Sequence, residues 1–256
     1  MRRVDDGAEL SDAQVRAAER GAKGMIPLGG RPFLDYVLSA LADAGYLEAC
    51  IVVGPEHDEP RARYAGVLSP TRIAVRFAVQ ERALGTADAV AAAEAFADGD
   101  RIAVLNADNY YPVPVLAALR ELPGSGLPGF EREALVRESN IPAERVERFA
   151  FLTLRADGSL ARIIEKPDAA TAAALGPDAL VSMNLWLFTP VIFDACRRVR
   201  PSARGELELA DAVRIAIDEM GEQFDVIRVR TGVLDLSTRA DVAAVAARLA
   251  AVEVLV

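Results

Sequence analysis

Residues 101–109 read Arg-Ile-Ala-Val-Leu-Asn-Ala-Asp-Asn, and the fold is deduced outward from this stretch. A compact apolar run that ends in polar residues is typical of a buried strand, and it places Asp108 at the carboxyl end of that strand. In open parallel sheets ligands bind at this end of the strands, and an Asp there can hold a Mg²⁺ ion. The alternative is an Asx-turn, in which Asp108 or Asn109 binds its own backbone.

Strands and helices alternate on both sides of this stretch. An apolar run at 49–53 and an alternating segment at 72–80 predict strands, and an Ala-rich segment at 85–97 predicts a helix. Their order indicates βαβ units and a mainly parallel sheet. The other predicted elements are helices at 9–21, 32–44, from 191, 206–220 and 239–251, strands at 180–188 and 224–229, and a hairpin of 149–155 with 159–165. No internal repeat or linker interrupts the chain, which predicts one domain over residues 1–256.

Composition excludes several classes of protein. The 256 residues are 52% hydrophobic and 26% charged, which is typical of a globular domain. The formal net charge is −9 and no run of basic residues occurs, so a nucleic-acid partner is not expected. The charge-free runs are too short for a membrane span. Cys50 and Cys196 lie in apolar segments, which predicts core thiols in a reducing cytoplasm.

A glycine-rich motif and a single histidine could each indicate a functional site, but their sequence context argues against it. Residues 124–129 match G-x-G-x-x-G, but they follow a helix and contain Pro128, so a dinucleotide-binding turn is rejected and a flexible loop is predicted. His57 is the only histidine and follows a predicted strand with no catalytic or metal-binding partner visible in the sequence. A surface position is expected for it, which argues against a hydrolase triad.

Lysine is nearly absent from this chain. Of the 29 basic residues only Lys23 and Lys166 are lysine, and the others are arginine. Arginine serves on ordinary surfaces, but its planar fork does not replace a compact ammonium against a phosphate oxygen in a tight site. The two lysines are therefore candidates for chemistry, and the alternative is that they remain by chance on solvated surfaces.

Further candidates lie in three other segments. Asp235 is flanked by apolar residues, and Ser237 and Thr238 already provide the caps for the following helix, so its carboxylate is a second candidate ligand. Gln80 ends a predicted strand before Gly85, where an amide is suited to reading a base edge and a glycine would let a flat ring approach. An ordinary strand–loop–helix corner is the alternative there. Residues 165–167, Glu-Lys-Pro, end a hairpin strand, and a surface ion pair is the alternative for them.

Taken in order, six segments resemble the sugar-1-phosphate nucleotidylyltransferases. They are Gly-Arg-Pro-Phe-Leu-Asp-Tyr-Val at 30–37, Gln80 with Gly-Thr-Ala-Asp-Ala at 85–89, Leu-Asn-Ala-Asp-Asn at 105–109, Glu-Lys-Pro at 165–167, Gly-Glu-Leu at 205–207 and Leu-Asp at 234–235. The resemblance runs from about residue 23 to residue 249. The ordered set is far more specific than any one of its members.

This resemblance implies a Rossmann-like, glycosyltransferase-A-type α/β fold with a mainly parallel, mixed sheet flanked by helices. It implies Mg²⁺ as cofactor and assigns residues to four roles. These are catalysis by Lys23, Asp108 and Lys166, nucleotide binding by Gln80, Gly85, Thr86 and Asp108, sugar-phosphate binding by Asn109, Glu165, Lys166 and Asn184, and metal binding by Asp108 and Asp235.

In one respect the chain departs from the family. Members open with a buried strand and a G-x-G-T-R loop that cradles the triphosphate, and this sequence contains no such loop. It begins Met1-Arg2-Arg3, which resembles the residues just after that loop. A parallel sheet without an inner strand leaves backbone groups unpaired. We therefore expect the coding sequence upstream of Met1 to continue in frame into a strand and a G-x-G-T-R loop.

The resemblance implies an enzyme that transfers a nucleotidyl group from a nucleoside triphosphate to a sugar 1-phosphate, giving a nucleotide diphosphate sugar and pyrophosphate. These two small molecules are its expected partners, and a homo-oligomer is compatible with the sequence. The alternative is a catalytically inactive, pyrophosphorylase-like regulatory subunit that binds sugar nucleotide. A nicotinamide-dependent oxidoreductase is disfavoured, because its phosphate fingerprint is missing from every predicted strand–helix turn.

Overall fold

A computed structural model describes residues 14, 23–68, 70–176 and 178–256. The helix predicted at 9–21 lies outside these residues except for Gln14. Within the described part of the chain, no helix combines the length and the apolar character that crossing a bilayer requires.

The described elements follow the predicted order closely. The strands are β1 Pro27–Leu28, β2 Arg31–Pro32, β3 Glu48–Val53, β4 Ala74–Val79, β5 Ile102–Leu105, β6 Asn109–Tyr110, β7 Ser125–Glu131, β8 Ala150–Leu154, β9 Leu160–Ile164, β10 Leu180–Ser182, β11 Leu185–Phe188, β12 Phe224–Val229 and β13 Leu234–Asp235. The α-helices are α1 Phe33–Asp43, α2 Asp58–Ala62, α3 Thr86–Ala92, α4 Glu94–Ala97, α5 Val113–Arg120, α6 Arg132–Glu138, α7 Ala143–Val146, α8 Ala169–Leu175, α9 Val191–Arg198, α10 Leu209–Asp218 and α11 Asp241–Leu249.

Seven strands form the central sheet in the order β5–β11–β7–β10–β8–β9, with β12 paired to β7. The predicted α/β fold with a mixed sheet is confirmed. The expected balance of strand directions was wrong, because only β12 runs parallel to its neighbour in this sheet. β3 and β4 form a separate parallel pair. An alternating or apolar run indicates a strand but not its direction, which the connections between strands decide.

The stretch predicted to be a flexible loop is a central buried strand. β7 contains the second and third glycines of the G-x-G-x-x-G match, and its first six residues are buried. A Cβ on Gly126 would lie 2.6 Å from the carbonyl oxygen of Asp225 on β12, and one on Gly129 would lie 2.7 Å from the Leu180 side chain. These glycines therefore permit close approach of neighbouring strands.

The strand predicted at 180–188 is divided by Asn184. Asn184 has φ of 56°, in the left-handed region, which interrupts the extended chain between β10 and β11, although both strands run antiparallel to β7. β10 pairs with β8 and β11 pairs with β5, while both contact β7. The break therefore lets one stretch of chain serve two different neighbours in the sheet.

Helices cover the sheet and bury two apolar clusters. In one cluster Trp186 stacks on Phe188 at 5.6 Å between ring centroids, and Phe224 packs edge-on against both rings. Cys196 is buried in the same cluster as predicted, whereas Cys50 is half-buried. Burial raises the pKa of the Cys196 thiol to about 12.

Between β3 and β5 lies a cleft of about 960 Å³. Both strands contribute to its walls, and apolar side chains of α1 form part of its lining. Among the described residues β3 pairs only with β4, and β5 pairs only with β11. Each strand therefore presents one unpaired edge to the cleft.

Candidate active site

The turn that follows β5 carries an ion pair between two predicted catalytic residues. Lys23 Nζ lies 2.6 Å from Asp108 Oδ2, and the two side chains are 28% and 21% exposed. Asn106 and Ala107, just before Asp108, line the cleft beside β5. Asp108 thus lies at the carboxyl end of a sheet strand, as the sequence predicted, with one of the two lysines against it.

A short antiparallel pair brings Asp235 to the same place. β13 pairs with β6 so that Asp235 is opposite Asn109 and Leu234 is opposite Tyr110. The backbone N–H of Leu236 donates to the carbonyl oxygen of Asp108 at 2.9 Å, which continues the contact. The charges of Asp108 and Asp235 interact, since Asp108 contributes to raising the pKa of Asp235. The two carboxylates that the sequence singled out therefore lie near enough for their charges to interact.

Asp235 is nevertheless buried and fully engaged. Its Oδ1 accepts hydrogen bonds from Asn109 Nδ2 at 3.1 Å and Ser237 Oγ at 2.9 Å, and its Oδ2 lies 2.7 Å from Arg145 Nη2. Burial raises the pKa of the Asp235 carboxyl, while the hydrogen bond from Ser237 and the positive charge of Arg145 oppose that rise. The carboxylate is thus held by donors on both of its oxygens.

The role predicted for Asn109 does not fit its position. Its side chain was expected to contact a sugar phosphate, but Asn109 is 4% exposed and its amide donates to Asp235. A buried amide that is committed to a carboxylate orients that carboxylate and does not reach a ligand in the cleft. Asn109 is therefore a supporting residue of the carboxylate pair.

Sequence reasoning missed three residues of this network. Arg145 on α7 bridges Asp235 and Asp241, the first residue of α11, and Asn140 donates to the backbone carbonyl of Asp235 at 2.8 Å. Asn140 also accepts from the Asp235 backbone N–H at 2.8 Å. One signal was available, because Asn140 is one of only four asparagines and the only one that no motif explained.

Of the other predicted sugar-phosphate residues, Glu165 and Asn184 line the cleft and Lys166 is not part of its lining. Glu165 and Asn184 are both exposed. Lys166 is exposed next to Glu165, with φ of 44°. Among the described residues other than glycine, only Asp98, Lys166 and Asn184 have positive φ. Such backbone strain often occurs at functional sites, and here two of the three positions had been singled out on other grounds.

The segment predicted to bind the base is packed against the chain itself. Gln80 Nε2 donates to the carbonyl of Gly85 and to Asp88, each at 2.9 Å, so its amide hydrogens stabilise the loop. Thr86 Oγ1 accepts from the Leu209 backbone N–H at 2.9 Å. A Cβ on Gly85 would lie 2.5 Å from the Leu207 carbonyl oxygen, so Gly85 accommodates backbone where a flat ring was expected. Gln80 Oε1 remains as the group suited to a base.

The two aspartates fit a divalent cation in chemistry, and of the two only Asp108 is partly exposed. Carboxylate oxygens are the ligands that Mg²⁺ prefers, and Asp108 is partly exposed with only one of its oxygens on Lys23. Asp235 could contribute only if Oδ2 became free of Arg145. The described residues contain no cluster of three or more histidine, cysteine or acidic side chains that could hold a metal. Other ligands would therefore come from water and substrate phosphates, as is usual for Mg²⁺.

Comparison with known sequences identifies similar proteins. The sequence model of the nucleotidyl transferase family matches residues 18–250. The chain is 26% identical over 199 residues to the low-salt glycan biosynthesis nucleotidyltransferase Agl11 of Haloferax volcanii, covering 78% of this chain and 52% of that protein. It is 27% identical over 217 residues to the UTP–glucose-1-phosphate uridylyltransferase AglF of the same organism, covering 84% and 82%. The chain thus spans about half the length of the first relative.

A solved structure supports the fold. The chain resembles a UDP-glucose pyrophosphorylase complexed with UDP-glucose, with a TM-score of 0.72 and 17% identity. The similarity covers 94% of this chain and 96% of the other. At that identity the likeness concerns the fold, which is the α/β nucleotidyltransferase fold that the sequence implied.

Replacement of Gly85 tests the contact between the Gly85 backbone and the backbone of Leu207. In Gly85→Ala the new Cβ meets Leu207 backbone and φ of 126° is unfavourable for alanine, so the free energy of unfolding should fall by about 3 kcal/mol. The control is Gly99→Ala, where φ is 85° but no atom lies within 4 Å, and about 1 kcal/mol should be lost. Urea denaturation measures both. Equal losses would show that the Leu207 contact contributes nothing.

Proposed function

The chain belongs to the nucleotidyl transferase family, and on that premise we propose that it transfers a nucleotidyl group from a nucleoside triphosphate to a sugar 1-phosphate. An oxygen of the sugar phosphate attacks the α-phosphorus and forms a new P–O bond. The bond from the α-phosphorus to the oxygen shared with the β-phosphate breaks, and pyrophosphate leaves. Positioning and charge stabilisation carry such transfers, so no protein nucleophile is required.

The observation that supports this proposal best is the meeting of Lys23, Asp108 and Asp235 beside the cleft. Glu165 and Asn184 line the same cleft from another part of the sheet. One ammonium and two carboxylates, which would act on the triphosphate directly and through a bound cation, therefore lie beside the cleft that Glu165 and Asn184 line with polar groups suited to a sugar phosphate. This arrangement allows the two substrates to meet inside one cavity.

Each residue has a distinct role in this proposal. A divalent cation held by Asp108 and Asp235 would neutralise charge that develops on phosphate oxygens. The ammonium of Lys23, already beside Asp108, stabilises the same charge when the triphosphate is bound. Lys166 holds the phosphate of the acceptor sugar so that its oxygen faces the α-phosphorus.

The remaining residues determine which molecules bind. Glu165 and Asn184 offer an acceptor and an amide to sugar hydroxyls. Gln80 and Thr86 bind the base in this proposal, with Gln80 Oε1 accepting a hydrogen bond from it, and the support is that Thr86 lines the cleft. Because relatives are named for UTP with glucose 1-phosphate and for UDP-glucose, these are the first substrates to assay. Highly charged metabolites of this kind are consistent with action in the cytoplasm.

We propose in addition that an extended apolar strand fills the part of the cleft that α1 lines between β3 and β5, which leaves the part beside Glu165 and Asn184 to the substrates. Each of these strands has one unpaired edge among the described residues, and unpaired backbone groups in a sheet interior are costly. Apolar side chains from α1 line the cleft, which suits an apolar strand. The segment that the sequence predicts upstream of Met1 is the proposed occupant. Its G-x-G-T-R loop would then follow beside Asp108.

Reading the upstream codons and producing the longer chain test this strand. Hydrogen exchange of backbone amides in β3 and β5 should slow by at least about tenfold in the longer chain, because their free edges become paired. Amides in the β8–β9 hairpin, which is already paired, serve as the internal control. An immediate in-frame stop codon, or unchanged exchange in β5, would refute the proposed strand.

The cationic centre is tested by Asp108→Asn. This variant preserves shape while removing one charge, so turnover should fall by about a hundredfold or more with little change in melting temperature. Pyrophosphate release from UTP and glucose 1-phosphate is measured against Mg²⁺ concentration. Asp98→Asn is the control, since Asp98 is exposed and its φ of 47° suits asparagine. Normal turnover in Asp108→Asn would end the assignment.

The sugar-phosphate site is tested by Lys166→Arg. The charge is kept, but a guanidinium needs more space and a different geometry, so the affinity for glucose 1-phosphate should fall by about tenfold. Calorimetric titration of the sugar phosphate measures this affinity directly. An unchanged dissociation constant would return Lys166 to a solvated surface role, while the Asp108 assignment would be unaffected.

A regulatory subunit without activity is the second candidate. Two observations favour it: both oxygens of Asp235 are engaged, and the loop around Gly85 packs against Leu207. This candidate predicts that UDP-glucose binds while no pyrophosphate is released at any Mg²⁺ concentration. The same assay therefore separates it from the enzyme.

A further inference from the structure

Arg145 lies between two carboxylates that belong to different elements. Its Nη2 is 2.7 Å from Asp235 Oδ2, and its Nη1 is 3.0 Å from Asp241 Oδ2 and 3.2 Å from Asp241 Oδ1. The guanidinium thus makes one contact with Asp235 and a two-oxygen contact with Asp241. The side chain is 21% exposed, so it has access to solvent and to other positions.

Asp241 is held firmly without any help from Arg145. Its Oδ2 accepts from the backbone N–H of Thr238 at 2.7 Å and from Thr238 Oγ1 at 3.0 Å, and its Oδ1 accepts from Asn140 Nδ2 at 3.1 Å. These bonds anchor the carboxylate at the start of α11. Asp241 therefore keeps its position whether or not Arg145 also contacts Asp235.

Asp235, unlike Asp241, relies on Arg145 to compensate its negative charge. Among the residues that the structure describes, Arg145 is the only charged group that hydrogen-bonds to this carboxylate, whose other side-chain partners are Asn109 and Ser237. A divalent cation on Oδ2 would replace that charge, and two cations on one carboxylate oxygen repel each other. A cation and Arg145 therefore compete for Asp235.

In its present position Arg145 does not use all of its hydrogen-bond donors. Its Nε is buried and has no hydrogen-bond partner among the described residues. A buried donor without a partner is costly and unusual. If Arg145 left Asp235 and kept only Asp241, it would lose one hydrogen bond, and exposure of its Nε to water would offset part of that loss in free energy. Two positions of similar free energy are what an exchange between partners requires.

We propose that Arg145 is an exchangeable counter-cation of the Asp108–Asp235 pair. In the absence of a divalent cation it neutralises Asp235, and when a cation binds it retreats to Asp241, which keeps its charge compensated. Arg145 would thereby prevent the two aspartates from repelling each other before metal arrives, and would set how tightly the metal binds. The inference rests on the proposed use of Asp108 and Asp235 by a metal, and it adds the residue that tunes that use.

Mn²⁺ binding tests this exchange without substrates or turnover. Mn²⁺ accepts the same oxygen ligands as Mg²⁺, and its free form is measured by electron paramagnetic resonance. Arg145→Gln removes the competing cation, so the dissociation constant for Mn²⁺ should fall by about tenfold. Arg145→Lys, which keeps a competing charge, should remain nearer to the wild type. Arg148→Gln is the control, because it removes an exposed positive charge from the same segment.

Asp241→Asn separates exchange from a purely structural role. Loss of the Asp241 charge leaves Arg145 without its alternative partner, so Arg145 binds Asp235 more strongly and Mn²⁺ affinity should fall severalfold. In the double variant Arg145→Gln with Asp241→Asn, that weakening should disappear. A role confined to stability would lower the melting temperature of these variants without opposite shifts in Mn²⁺ affinity.

The outcomes distinguish this inference from the proposed function. If Arg145→Gln binds Mn²⁺ no more tightly than the Arg148→Gln control, or if no variant binds Mn²⁺, the exchange is wrong. Tighter binding in Arg145→Gln together with no pyrophosphate release by any protein would retain the exchange and refute the transferase proposal. Should Arg145→Gln fail to fold, Arg145→Lys and Asp241→Asn still decide, because the exchange predicts weaker Mn²⁺ binding only in Asp241→Asn.

Discussion

The two-residue pairing between β6 and β13 is the constraint on which the candidate site depends. It sets Asn109 opposite Asp235 and Tyr110 opposite Leu234, across 126 residues of chain. Backbone hydrogen bonds fix this register, so the two aspartates are brought together although their charges repel. The polar groups around them make that arrangement tolerable.

Compensation of these charges explains why so many elements meet at one point. Lys23 offsets Asp108, while Arg145 offsets both Asp235 and Asp241. A buried carboxylate needs paired charge and hydrogen bonds because desolvation otherwise favours its protonation. The buried Tyr111 donates to the Met183 carbonyl at 2.5 Å and so connects this network to the strained turn at Asn184. The pairing of β6 with β13 and the turn at Asn184 are therefore connected through Tyr111.

Errors in the sequence-based prediction have specific physical causes. The glycines and proline of 124–129 indicate a loop, yet residues 125–129 lie in β7, where neighbouring strands come too close to Gly126 and Gly129 for larger side chains. Gly85 was assigned to a flat ring, but the backbone of Leu207 occupies that space. In both places the glycines indicate that another group packs closely against the backbone. Which group packs there depends on residues distant in sequence.

The sequence by itself determined the order and the kind of most elements, since hydrophobic period and turn residues are local properties. It also singled out Asp108, Asp235 and the two lysines as candidates, because strand ends and the scarcity of lysine can be read directly from a sequence. Only the tertiary structure decided the strand directions, the burial of Asn109 and the position of Arg145 between two aspartates. Those features depend on which distant segments pair, and pairing is set by the packing of the whole sheet and not by any local pattern.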